Sequence, residues 1–230
     1  MEDNFENSEK YVIDDVFNIT KIDKTDKRVQ YIIKKDPIIG DYINKKDKAL
    51  YFLAKDVNQF FVFTIIGQLI SMKVANKIYT KFANICNHDF SAKRILHFSR
   101  EDLRSLGMTY KKADYILSFM EMLNKNKSFF DDLVKIRDEN KAIKELLKLH
   151  GVGKWTAKMI LLACFDYQNI VPVEDLAIFK GYNHLYKCDK TPTQILKDCE
   201  KWSPYGSIAT RYLYAYIEDV YKSSNPKTKS

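Results

Sequence analysis

The stretch LLKLHGVGKWTAKMILL, Leu146–Leu162, decides how this chain is read. Ile143, Leu146 and Leu147 recur at helical spacing just before it, so an amphipathic helix is predicted to end near Leu149. Gly151 and Gly153, two of only seven glycines in 230 residues, then form a tight turn. A second helix starts near Lys154 and presents Ala157, Ile160, Leu161 and Cys164 to a core. Glycine in such a turn accepts positive φ and lets another backbone come close. The N-terminus of the second helix offers backbone N–H groups and a partial positive charge, which is a site for an anion such as a phosphate. Lys154 adds a full charge there. Contacts of this kind hold a nucleic-acid backbone without reading its sequence. A plain helical hairpin with a glycine C-cap is the bland alternative, and it explains one glycine better than the pair followed by lysine.

The rest of the chain fits around that hairpin. Helical periodicity dominates and strand-like alternation is nearly absent, so the fold class is all-α, with about ten short helices. Phe60–Ile85 reads as a helix, a break near Gly67 and a second helix in which Val74, Ile78 and Phe82 recur at a spacing of four. Arg100–Leu123 reads as a short helix, a turn over Gly107–Tyr110 and a longer helix. Thr191, Pro192 and Gln194 form a capping box with proline at the first helical position. Residues 1–27 are polar and read as a loosely ordered arm. The helical domain spans 28–221 with its hairpin over 141–165, and 222–230 is a basic disordered tail.

Charge and cysteines narrow the function classes. Lysine and arginine outnumber acids 38 to 30, a net charge of +8. That balance suits a polyanionic partner, although a lysine-rich composition alone would also produce it. Cys86, Cys164, Cys188 and Cys199 contain no C-x-x-C pair, which excludes an iron–sulfur framework and suits reduced thiols in an intracellular compartment. No apolar run is long enough to span a bilayer, so no membrane role is expected.

Downstream, NIVPVEDLAIF places Glu174 and Asp175 at a helix start, where either could serve only as a cap. The combination is more telling. A glycine hairpin, Trp155, and an aspartate after V-P-V-E resemble the helix–hairpin–helix DNA glycosylase superfamily, and within it the 3-methyladenine DNA glycosylase II type. VQYIIKKDPIIGDYI (Val29–Ile43), FTIIGQLIS (Phe63–Ser71), LRSLGMTYKKADYI (Leu103–Ile116) and CEKWSPYGSIATRYLY (Cys199–Tyr214) extend the resemblance over about residues 29–220.

The resemblance implies two helical lobes with an active-site cleft between them, and an enzyme that flips a damaged base and cuts its N-glycosidic bond. Its aspartate falls on Asp175, whose carboxylate would stabilise the oxocarbenium sugar. Strand-nicking members carry a lysine where this chain has Trp155, so a monofunctional hydrolase without AP-lyase activity is implied. Methylated purines such as 3-methyladenine and 7-methylguanine are cationic, and aromatic walls would bind them. Trp155, Met159 and Tyr214 fall at pocket positions, with core packing the alternative for Tyr214. Gly151, Gly153, Lys154, Thr156, Lys111 and Gln68 fall at DNA-contacting positions. Tyr110 matches the wedge that fills the gap left by a flipped base, and Lys112 beside it suits a phosphate. Trp202 reads as a core anchor, and His150 as an exposed residue without a role.

The backbone carbonyls of Leu147, Leu149 and Val152 correspond to a Na+ or K+ site. No redox cofactor, iron–sulfur cluster or essential divalent metal is implied. The expected partner is double-stranded DNA, bound by a monomer in the cytoplasm and nucleoid or in the nucleus. Two rival readings keep the fold: action on a neutral lesion such as uracil or an oxidised base, and a non-catalytic DNA-binding module.

Overall fold

The computed structural model describes residues 12–224. A short helix α1 (12–16) leads into strand β1 (Phe17–Asp23), helices α2 (Lys27–Lys35) and α3 (Pro37–Lys46), and strand β2 (Lys48–Ala54), which pairs with β1 in a two-stranded sheet. The described chain is then helical: α4 (Val57–Gly67), α5 (Met72–Cys86), α6 (Ala92–Ile95), α7 (Arg100–Ser105), α8 (Tyr110–Lys125), α9 (Phe129–Lys135), α10 (Glu139–Leu146), α11 (Lys154–Cys164), α12 (Leu176–Leu185), α13 (Pro192–Asp198), a 3-10 turn (Cys199–Trp202) and α14 (Gly206–Ser224). None of the described helices is long and apolar enough to cross a membrane.

The chain divides into two compact units. The first comprises the residues through Asn18 together with Leu53–Phe165. Its centre is α4, whose Phe60, Phe61, Val62, Ile65 and Ile66 are all buried. A helix that is apolar on every side must be covered on every side, and α5, α8 and α11 do so. Phe61 stacks on Phe119 of α8 with ring centroids 3.6 Å apart. The helix starts at Asp56, whose carboxylate accepts the N–H of Gln59.

The second unit comprises Ile19–Phe52 and the chain from Asp166 onward. Here α14 packs on α2, α3 and α12. Trp202 is the core anchor that its sequence context suggests: it is fully buried, and its Nε1 donates to Asp36 Oδ2 at 2.8 Å. Asp36 caps α3, with Pro37 at the first helical position as its φ requires. The capping box at Thr191 and Gln194 also forms as its spacing predicts.

Three expectations need correction. Residues 12–27 are not a loose arm: Val12, Val16 and Ile22 are buried, and β1 pairs with β2. Helix α14 continues through Ser224, past the expected domain end at 221, while 1–11 and 225–230 lie outside the described residues. Val74 belongs to the exposed face of α5, whereas Ile78 and Phe82 are buried as expected.

Candidate functional site

In the first unit, three segments meet at the hairpin. Helix α10 ends at Leu146, and Gly151 turns the chain with φ +83°. A Cβ on Gly151 would lie 2.2 Å from Cγ of Tyr115, so both the backbone angle and the packing demand glycine. Gly153 is under no such constraint, with φ −89°. It is exposed, nothing lies within 4 Å of where its Cβ would be, and it caps α11 with no side-chain hydrogen bond. The first turn of α11 therefore presents backbone N–H groups toward open space, with exposed Lys154 beside them. His150 packs edge-on against Tyr115 at 4.7 Å, and its Nδ1 lies 3.2 Å from Ser118 Oγ, so it braces the turn rather than standing alone.

Gln68, in the turn after α4, joins that turn to the hairpin. Its Nε2 donates to Thr156 Oγ1 at 3.2 Å and to the Gly151 carbonyl at 3.4 Å. Thr156 is buried, so its hydroxyl is an internal brace and not a surface DNA contact. Lys112 departs from expectation in the same way. Its Nζ donates to the carbonyls of Ile66 and Gln68 at 2.8 and 2.7 Å, closing the C-terminus of α4, and burial lowers its pKa.

These braces present Leu69, which sequence reasoning passed over. It is fully exposed (104%) and sits in the left-handed region with φ 57°. A branched apolar residue that is both solvent-exposed and in the left-handed region is a candidate functional position. The only local signal was an apolar residue directly after the Gly67–Gln68 helix break. Tyr110 begins α8, with the guanidinium carbons of Arg100 and Arg104 lying 4.5 and 5.7 Å from its ring centroid. Lys111 is exposed and lies 5.8 Å from the Tyr115 ring. Trp155 and Met159, one turn apart on α11, are both half-buried.

The second unit builds the carboxylate site. The extended segment before α12 is tied to the first turns of α14. Ser207 Oγ accepts the Ile170 N–H at 2.8 Å, and Thr210 Oγ1 donates to the Ile170 carbonyl at 3.0 Å. A Cβ on Gly206 would lie 2.9 Å from both Asn169 Oδ1 and Val171 Cγ2, so only glycine admits this approach. The chain then turns at Pro172, where the Asp175 N–H donates to the Pro172 carbonyl, and Asp175 caps α12. Its Oδ1 accepts from Ala177 N at 2.8 Å and Ile178 N at 3.4 Å. Its Oδ2 accepts from the hydroxyl of Tyr214 at 3.0 Å. Burial, then the charge of Asp175 and the hydrogen bond to it, push the ionisation of Tyr214 well above its ordinary range. Glu174 is exposed, while Asp175 is half-buried.

A helical scaffold with a glycine hairpin at one helix N-terminus and an aspartate capping another is the arrangement that the sequence resemblance implies. The chain belongs to the HhH-GPD superfamily of base excision DNA repair proteins, whose family pattern matches residues 62–204. It is 26% identical over 185 residues to DNA-3-methyladenine glycosylase 1 of Schizosaccharomyces pombe, covering 75% of this chain and 78% of that one. It is 24% identical over 175 residues (70% of the chain) to a DNA-3-methyladenine glycosylase of Bacillus subtilis, of whose length it spans only 57%. Among solved structures, a DNA-3-methyladenine glycosidase from Bacillus halodurans superposes with a TM-score of 0.79 at 21% identity, covering 88% of this chain and 94% of the other; this likeness bears on the fold alone.

Proposed function

We propose that the protein is a monofunctional DNA glycosylase that hydrolyses the N-glycosidic bond of alkylated purines, of the 3-methyladenine and 7-methylguanine type, in duplex DNA. The observation that carries this reading is Asp175, a carboxylate fixed on one oxygen by the N-terminus of α12 and on the other by a phenol. Its negative charge is held in one direction, ready to meet the positive charge that develops on the sugar as the bond breaks. Preorganised charge of this kind needs no rearrangement in the transition state. A purine methylated at a ring nitrogen leaves as a neutral base, so no strong general acid is required. The names of the similar proteins from Schizosaccharomyces pombe and Bacillus subtilis favour the same substrate class.

The other parts act on the duplex. Exposed Gly153 and Lys154 receive a phosphate at the start of α11. The carbonyls of Leu147, Leu149 and Val152 suit a hard monovalent cation, because they supply oxygen alone; the Leu149 oxygen accepts one hydrogen bond, from Val152 N at 3.1 Å, and has a second lone pair to give. Trp155 and Met159 provide the apolar and aromatic surface for the base. We assign the wedge to Leu69 rather than Tyr110, since Leu69 is the fully exposed apolar tip and the Tyr110 ring is engaged by two arginines. Leu69→Ala is expected to weaken affinity for lesion-containing duplex by about tenfold, with no loss of thermal stability. Fluorescence anisotropy checks this, and Tyr110→Ala should have the smaller effect.

The chemistry is tested by incubating the protein with dimethyl-sulfate-treated duplex. Free methylpurine should appear by chromatography, and the strand should stay intact until alkali cleaves it. Neither Lys154, which is exposed, nor Lys158, which is buried, occupies the position of Trp155. Without an amine there, no Schiff base with the sugar forms. A covalent protein–DNA adduct trapped by borohydride would overturn the monofunctional assignment, and absence of base release from every alkylated duplex would overturn the glycosylase assignment. The protein is proposed to act as an intracellular monomer.

A further inference from the structure

We propose that Tyr214 is a positioning residue, which sets the orientation of the Asp175 carboxylate through its hydroxyl, and not a stacking wall for the bound base. The proposal rests on the assignment of Asp175 as the charged group in bond cleavage. It is carried by the way α14 serves as a template for the segment that delivers Asp175. Ser207, Thr210 and Tyr214 follow one another at spacings of three and four, so they form a single ridge on that helix. Each makes a hydrogen bond to the same segment: Ser207 and Thr210 to the backbone of Ile170, and Tyr214 to Asp175 Oδ2. The ridge thus fixes the backbone first and the carboxylate last.

The local chemistry explains why a hydroxyl matters at this place. The terminal torsion of an aspartate is broad and has no strong preference of its own. The N–H groups of Ala177 and Ile178 fix Oδ1, and the phenol then fixes Oδ2, so rotation of the carboxylate plane is blocked from both sides. A phenylalanine at 214 would fill the same space and remove the phenol's hold on Oδ2. Because burial and Asp175 keep the phenol protonated far above neutral pH, it remains a donor over the whole working range. The buried Arg211, one turn earlier on α14, sits with its guanidinium carbon 3.7 Å from the Tyr51 ring centroid, and its Nη1 donates to the Phe52 carbonyl at 3.1 Å. This face of the helix is thereby locked, and Tyr214 starts from a fixed base.

The experiment is Tyr214→Phe in the full chain, with three readouts: single-turnover release of 7-methylguanine from methylated duplex, affinity for a duplex carrying a tetrahydrofuran abasic analogue, and thermal melting. Release should slow by about tenfold or more, as expected for loss of one hydrogen bond to a charged group. Affinity and melting should stay at wild-type values. In the Asp175→Asn background, Tyr214→Phe should add no further loss of release, because the charge that the phenol orients is already gone. Wild-type release by Tyr214→Phe would overturn the proposal. So would a parallel loss of affinity, which would make Tyr214 part of the binding surface, or a full additional loss on top of Asp175→Asn. A wild-type protein that releases no methylated base would instead overturn the glycosylase reading itself, and that measurement is made before any variant.

Discussion

Asp175→Asn is expected to reduce methylpurine release by on the order of a thousandfold, the largest effect of any single substitution in this protein. The change keeps shape and removes charge. Asparagine is as good an N-cap as aspartate, so its side-chain oxygen still accepts the N–H groups of Ala177 and Ile178 that Asp175 Oδ1 accepts now. Its amide nitrogen then faces the Tyr214 hydroxyl, which can accept where it formerly donated. Helix α12 therefore stays capped and the fold intact, so the loss reads on chemistry. Binding to an abasic-analogue duplex should be unchanged or tighter, since no anion is left near the DNA at this position. Single-turnover release and gel-shift affinity, measured side by side, decide it. A non-catalytic DNA-binding module would give equal results for both proteins, and wild-type release by the variant would remove Asp175 from the mechanism.

The second large effect concerns stability. Asp36 is 1% exposed, yet it is charged. Burial alone would push its pKa upward, but hydrogen bonds from Tyr186, Lys201 and Trp202 outweigh that and hold it below the ordinary carboxylate range. The donors are Tyr186 OH at 2.5 Å, Trp202 Nε1 at 2.8 Å and Lys201 Nζ at 2.9 Å, with the Ile38 N–H at 3.2 Å on the other oxygen. Asp36→Ala leaves the buried indole N–H and phenol without their acceptor and uncaps α3. A loss of about 3–5 kcal/mol is expected, read by urea unfolding at neutral pH.

The pH dependence follows from the direction of the shift. The folded pKa lies below the unfolded one, so the contribution is complete above about pH 4, close to the unfolded carboxylate value, and is lost as pH falls through the lower folded value. The wild-type protein should lose stability over that acid range more steeply than Asp36→Ala does, because the variant has no such group to protonate.

Much of the helical pattern was legible in the chain because it depends on near neighbours. The break after Gly67, the turn before Tyr110, the capping box at Thr191 and the hairpin at Gly151 all follow from spacing, caps and the tolerance of glycine for positive φ. The two strands were not legible. Strand β1 buries only Ile22 of its seven residues, so it carries no alternating signal, and its hydrogen bonds come from a strand separated from it by two helices. Tertiary hydrogen bonds also decide the roles of Thr156 and Lys112. Each has a polar group suited to DNA, and each instead satisfies a group brought to it by a distant turn.

By itself the sequence singled out the candidate residues for the chemistry. A glycine hairpin ahead of a lysine, a tryptophan directly after it, and an aspartate at a helix start are local facts of residue type and order. Only the tertiary structure decided how those residues are held. That Tyr214 reaches Asp175, that Gln68 braces the hairpin, and that Leu69 is left bare in a strained turn depend on contacts across 39, 83 and 88 positions of chain or on exposure. The physical reason is one of range. Propensity, capping and glycine conformation act within a few residues, while the direction of a carboxylate is fixed by whichever donor the folded core brings against it.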